Sequence, residues 1–300
     1  MRIGLDIVAT QTLTELLSNG AGLAPAIGAP GRRPLCFGEL RGLVESTRAR
    51  LNALGVGRND RVAIVLDNGP EMATCFVACA CSVTSAPLNP AYRADEFQFY
   101  LTDLDAKALI VAKDSASPAV AVAGRLGVPL IDLVASPDGG AGAFTLAPRD
   151  PGRFAAAAHP GPARPEDISM VLHTSGTTSR PKIVPLSQAN LCASARHIGS
   201  TLQFVPEDRG LNIMPLFHIH GLIAGVLAPL AAGSSVFCTP GFNALKFFAW
   251  MDEARPTWYT AVPTMHQAIA SRASKNAEII RRHPLRFVRS SSSSMPPQVI

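Results

Sequence analysis

Eight short apolar runs punctuate this chain: RVAIVL (61–66), ALIVA (108–112), VPLIDL (128–133), ISMVL (168–172), LNIM (211–214), SSVFC (234–238), WYTAV (258–262) and LRFVRS (285–290). Each has the length of a strand rather than of a helix. Segments with helical spacing separate most of them. Leu40, Leu43, Val44, Thr47, Leu51 and Leu54 keep a 3.6-residue period, and so do Phe97, Tyr100, Leu101 and Leu104. Strand and helix in alternation predict an α/β fold with mostly parallel sheets and helices on both faces.

A chain of 300 residues, 47% of them hydrophobic, can bury one large core or two smaller ones. From about residue 136 to 167 the composition shifts to Gly, Pro and Ala, which reads as a linker or surface excursion. It divides the chain into an N-terminal α/β subdomain, residues 1–167, and a second α/β subdomain, residues 168–300. The longest apolar candidates for a bilayer span are interrupted by Pro87 and Pro229, and the N-terminus does not read as a secretory signal. A cytoplasmic location is therefore expected. Six cysteines lack the spacing of a metal site, and Cys75 and Cys79 share an apolar helix face, so buried free thiols are expected. The net charge of +5 suits an anionic ligand, but the 27 basic residues are dispersed and aromatics make up only 6%, which argues against a nucleic-acid surface.

The decapeptide HTSGTTSRPK, residues 173–182, names that anion as a polyphosphate. Thr174, Ser175, Thr177, Thr178 and Ser179 each place a hydroxyl beside a backbone N–H, and Lys182 adds a positive charge. Gly176 permits the tight bend that brings amides against phosphate oxygens. An apolar strand ending at His173 leads in, and Ser187 caps a helix downstream, so strand, loop and helix are expected in sequence. The P-loop of kinases and NTPases does not fit. It needs glycine directly before its lysine, where this chain has Pro181, and Pro185 delays helix entry.

TSGTTSRPK resembles the signature loop of the adenylate-forming superfamily of acyl-CoA synthetases, luciferases and peptide-synthetase adenylation domains. It departs from the usual pattern at Ser179 and Ile183, where glycine is more common; TTSRPK is similar to the version found in oxalate–CoA ligases, and Ile183 stiffens the loop's exit. The resemblance continues through residues 68–111, NIMPLFHIHGLIAGVLAPLAAGSSV (212–236), TWYTAVPTMHQ (257–267) and LRFVRSSSSSMPP (285–297).

The resemblance implies the N-terminal part of such an enzyme, with two stacked sheets. It implies ATP phosphate contacts from Thr174, Ser175, Gly176, Thr177, Thr178, Ser179 and Lys182, and adenine contacts from Ser291, Ser292, Ser293 and Ser294. In PLFHIHG, Phe217 and His218 are expected at the acid substrate, with His220 beside them; on a strand both imidazoles would share a face, but no third metal ligand is placed. Thr264, just past a strand end, is a candidate pocket wall. Trp258 reads as core, and Arg281, Arg282, Arg286 and Arg289 as a solvated cationic face. The implied chemistry is two-step: a carboxylate attacks the α-phosphorus of magnesium-bound ATP to give an acyl-adenylate, and the CoA thiol then displaces AMP. Oxalate is the first candidate acid. The family's magnesium-binding acid, ribose aspartate, hinge and catalytic lysine follow the adenine loop, so these 300 residues alone are expected not to turn over. Alternatives are a nucleotide-binding lobe without turnover and an ADP-forming phosphotransferase.

Overall fold

Runs rich in Val, Ile, Leu and Ala, with helices long enough to cross back between them, favour parallel pairing, and two sheets form in this way. The computed structural model describes residues 10–153, 156–174 and 181–294. Helix α1 (Leu13–Leu16) precedes a hairpin of β1 (Pro25–Ala29) and β2 (Arg32–Cys36), then α2 (Phe37–Ala53). There follow β3 (Arg61–Val65), α3 (Pro70–Ala80), β4 (Thr84–Pro87), α4 (Ala94–Asp103), β5 (Ala108–Ala112), α5 (Pro118–Leu126), β6 (Leu130–Ala135), β7 (Phe144–Pro148) and β8 (Ile168–Thr174). Next come β9 (Lys182–Ser187), α6 (Gln188–Thr201), β10 (Arg209–Asn212), a π-helix (His220–Leu227), α7 (Ala228–Ala231) and β11 (Ser235–Cys238). Last are α8 (Phe247–Ala254), β12 (Trp258–Ala261), α9 (Pro263–Ala273), α10 (Ala277–Arg282) and β13 (Phe287–Ser290).

The first sheet has the order β7-β6-β5-β3-β4-β8-β9, parallel inside and antiparallel at both edges. The second runs β13-β12-β10-β11-β1-β2 and is parallel except for the β1–β2 hairpin. The α/β expectation with mostly parallel sheets is met.

The expected division at residue 167 does not separate the sheets. Strands β8 and β9 complete the first sheet, because Met170 and Val171 are buried beside β4 and Ser169 Oγ donates to the Ala80 carbonyl. The β1–β2 hairpin instead joins the second sheet, with Ile27 opposite Val236. Nor is the Gly/Pro/Ala-rich stretch simply a linker. Phe144 and Leu146 are buried on either side of exposed Thr145, a period of two that makes β7 the first sheet's edge. Further on, Arg58 N donates to the His159 carbonyl at 2.8 Å and Gly161 N to Asn52 Oδ1 at 2.7 Å, pinning that stretch to the end of α2 and the loop before β3.

Helix α3 is buried around its whole circumference, in the largest hydrophobic cluster. Its Cys75 and Cys79 are free thiols, as expected; their mutual hydrogen bond and burial hold Cys75 well above its ordinary pKa. Burial likewise pushes Cys81, Cys192 and Cys238 up to about 12. Cys75, Cys81, Cys192 and Cys238 are therefore not poised as nucleophiles.

Gly57 marks where the pinned stretch touches: a Cβ there would stand 2.4 Å from the His159 carbonyl oxygen. Gly57→Ala is expected to cost about 1–3 kcal/mol through forced displacement of backbone. The urea midpoint should fall, and protease cleavage near residue 159 should quicken.

Candidate active site

Strands β10, β12 and β13 run parallel, so their inward side chains form layers. Gly210 pairs with Trp258 and Trp258 with Phe287; two residues further on, Asn212 pairs with Thr260 and Thr260 with Arg289. Alternate residues share a face, so both rows point the same way. The lower layer is aromatic: Trp258 stacks on Phe287 with centroids 5.6 Å apart and an interplanar angle of 19°. Trp258 is core, as its sequence position suggested. Glycine is required at 210, because a Cβ there would lie 2.6 Å from the indole. The upper layer is polar and stands at the strands' C-terminal ends, where open α/β sheets bind ligands.

PLFHIHG does not form a strand. Asn212 Oδ1 accepts from Met214 N and its Nδ2 donates to the Gly221 carbonyl at 3.2 Å, so the chain folds back after β10. From the first sheet, Asn68 Nδ2 donates to the Met214 carbonyl at 3.2 Å and Asn68 Oδ1 accepts from Leu216 N at 2.7 Å. A Cβ at Gly221 would meet the Pro215 carbonyl oxygen at 2.3 Å, so only glycine closes this turn. The histidines consequently part. His218 is exposed beside half-buried Phe217, their rings 4.5 Å apart, whereas His220 is buried at the start of the π-helix.

His220 Nε2 lies 2.7 Å from Thr260 Oγ1 and 2.9 Å from Arg289 Nη1, which also donates to Thr260 Oγ1 at 3.1 Å. Accepting from a guanidinium requires a lone pair on Nε2, so the imidazole proton sits on Nδ1. Burial, then the charges of Arg289, His218 and His266, push the His220 pKa down to about 4, so the ring is neutral. Burial also lowers the pKa of Arg289. Beneath, the Tyr259 hydroxyl donates to His266 Nδ1 at 3.1 Å, and His266 Nε2–H donates to the Arg289 carbonyl at 3.2 Å.

The other residues expected at the site are placed around this cluster. Thr264 is exposed in the first turn of α9. Ser291 N donates to the Ala261 carbonyl at 3.2 Å, extending the ladder, and Ser292 turns the chain at φ 78°. Ser292, Ser293 and Ser294 face solvent. The expected solvated face of arginines holds only in part. Arg282 pairs with Asp252 and Glu278, Arg286 with buried Asp208, and Arg289 is half-buried in the cluster.

Of the residues expected to contact phosphate, Ser175, Gly176, Thr177, Thr178 and Ser179 lie outside the described residues. Their flanks are informative: Thr174 ends β8 and pairs with Lys182, which opens β9, so the loop joins two antiparallel strands. A strand thus intervenes before the helix that was expected next. Pro185 is tolerated there because β9 is an edge strand, and Ser187 Oγ then caps α6 by accepting from Asn190 N. Ile183, opposite His173, packs on the second hydrophobic cluster, in a strand setting that suits a β-branched residue. His173 itself is held by Asp103 Oδ2, 3.0 Å from its Nε2, and by the edge of Tyr100.

Sequence reasoning missed Asn68, Thr260 and Arg289. Only alternation in LRFVRS pointed to the last, since it sets Arg289 on the same face as Phe287. Among the described residues no group of three His, Cys, Asp or Glu side chains forms a metal cluster.

The family model described as AMP-binding enzyme matches residues 21–300. The chain belongs to the AMP-binding enzyme family. Within the family it is 37% identical over 299 residues to an oxalate–CoA ligase of Arabidopsis thaliana, covering 97% of this chain and 57% of that protein. It is 33% identical to an oxalate–CoA ligase of Saccharomyces cerevisiae, over 81% of this chain and 48% of the relative. A sulfoacetate–CoA ligase of Cupriavidus necator is 30% identical over 88% of this chain and 50% of its own length. The chain thus spans about half the length of these relatives. ATP-bound MatB from Rhodopseudomonas palustris superposes with a TM-score of 0.78 at 25% identity, over 96% of this chain and 56% of that one.

A histidine whose folded pKa is depressed favours the fold only while neutral. Stability from His220 is therefore present above about pH 6.5 and lost as pH falls toward about 4. Across that window His220→Gln should lose less stability than wild type, the difference reaching at most about 3 kcal/mol in denaturant titrations.

Proposed function

We propose that this chain is the N-terminal part of an AMP-forming acid–CoA ligase acting on a small carboxylic acid, with oxalate the first candidate. The observation that carries the proposal is the family match together with a polar, cationic row, Asn212–Thr260–Arg289, at the C-terminal edge of a parallel sheet. The similarity to two oxalate–CoA ligases supports the choice of acid.

In the first step the acid's carboxylate oxygen attacks the α-phosphorus of ATP, the bond to the β-phosphate oxygen breaks, and pyrophosphate leaves. In the second, the CoA thiol attacks the acyl carbon, its proton departs, and AMP is expelled. Donors that hold the leaving phosphates in line do most of the work in such a transfer. We assign that role to the loop between Thr174 and Lys182, and adenine contact to Ser291–Ser294. Exposed His218 and half-buried Phe217 form the outer lip, and His220 the buried end, of the acid's approach. Magnesium would accompany the ATP phosphates; the described residues provide no cluster for it, and no step is assigned to it.

The protein expressed from its complete reading frame, given ATP, CoA and oxalate, should release AMP and pyrophosphate in equal amounts. ADP as the nucleotide product would replace this reading with phosphotransfer, and no nucleotide product across a panel of small acids would remove it.

A further inference from the structure

Arg289 differs from other arginines of the chain. Arg32, Arg58, Arg149 and Arg286 each meet a carboxylate, Glu71, Asp167, Asp132 and Asp208, and Arg41, Arg61, Arg196 and Arg209 are spent on backbone carbonyls. Arg289 is half-buried and has no carboxylate partner among the described residues; its neighbours are a hydroxyl and a neutral imidazole. Taking a guanidinium out of water without an anion is costly, so such a cation is a standing demand for negative charge.

The hydrogen bonds show where an anion fits. Both contacts use Nη1, so the Nε–Nη2 edge makes no hydrogen bond to the described residues. That edge is the planar fork that matches a carboxylate or sulfonate with two parallel N–H donors. Thr260 and His220 hold the other side of the guanidinium and fix its plane. His220 has committed its Nε2 lone pair, and its Nδ1–H is buried without a partner among the described residues. A fixed cation thus stands beside an unspent donor, with no acceptor of opposite charge among the described residues.

This fork suits an anion that keeps its charge through the reaction. The carboxylate that attacks ATP becomes a mixed anhydride and loses its negative charge. A cation paired to it would stabilise the ground state more than the transition state. Resting on the ligase reading above, we propose that Arg289, positioned by Thr260 and His220, contacts a second, non-reacting anionic group on the acid and so selects small acids that carry two negative charges.

Charge-assisted hydrogen bonds of this kind correspond to about 10- to 100-fold in binding. In ATP–pyrophosphate exchange by the protein from its complete reading frame, Arg289→Met should lower the oxalate-to-acetate ratio of kcat/KM by about that factor. Arg289→Lys keeps the charge without the fork and should give an intermediate ratio. Equal loss toward both acids would reduce Arg289 to a structural role, and an unaltered ratio would overturn the contact. If wild type exchanges with no acid, the ligase reading fails, and thermal melting reads the anion site alone. Oxalate should then raise the Tm of wild type more than that of Arg289→Met, and an equal rise, or none in either, overturns the proposal.

Discussion

The side-chain amide of Asn68 joins the two sheets. It donates to the carbonyls of Met214 and Thr239 and accepts from Leu216 N, so one residue after β3 satisfies backbone groups on two loops that leave β10 and β11. Those groups have no ladder neighbour where the chain turns, and a buried amide left unpaired costs about 1–3 kcal/mol. The bend that separates His218 from His220 is therefore a joint product of Asn68, Asn212 and the space that Gly221 leaves open. Without it neither histidine would stand where it does.

The two ends of the second sheet use charge in opposite ways. At the N-terminal end, buried Asp208 accepts from Arg286 and from the Thr257 hydroxyl, closing the starts of β10, β12 and β13 with a satisfied ion pair. At the C-terminal end of the same strands, Arg289 meets only neutral groups. The first arrangement holds strand ends together and leaves nothing unspent. The second leaves a cation whose natural partner is not part of the protein's described structure, which is the electrostatic signature expected of a binding edge rather than of a structural one.

Much of the fold was legible because its signals are local. Apolar runs of strand length and helical periods between them specify parallel α/β structure wherever they fall in the sequence. What was not legible depends on pairing. Strand β7 is hidden in a Gly- and Pro-rich stretch, and its alternation of Phe144, Thr145 and Leu146 acquires meaning only beside β6. Strand β9 contains Pro185, which an inner strand would not tolerate, so its status as an edge had to be known first. Arg289 illustrates the same limit at the site. Four arginines within nine residues look like one solvated face, and only the register Thr260–Arg289 shows that one of them turns inward.

The β8–β9 hairpin and the polar row hang on different sheets: β8 and β9 belong to the first, and β10, β12 and β13 to the second. Their relative placement rests on what lies between, chiefly α3, whose side chains are buried on every side, and on the Asn68 bridge. Close-packed interiors resist displacement, so a helix buried on both faces transmits the position of one sheet to the other. The hairpin's own stem is fixed differently, by His173 against Asp103 and Tyr100 of α4. The candidate site is thus assembled from a stem anchored on the first sheet's helix layer and a cation anchored on the second sheet's inner face. A substitution deep in α3, far from any polar group, would for that reason alter the distance between the β8–β9 hairpin and the Arg289 row before it altered either one alone.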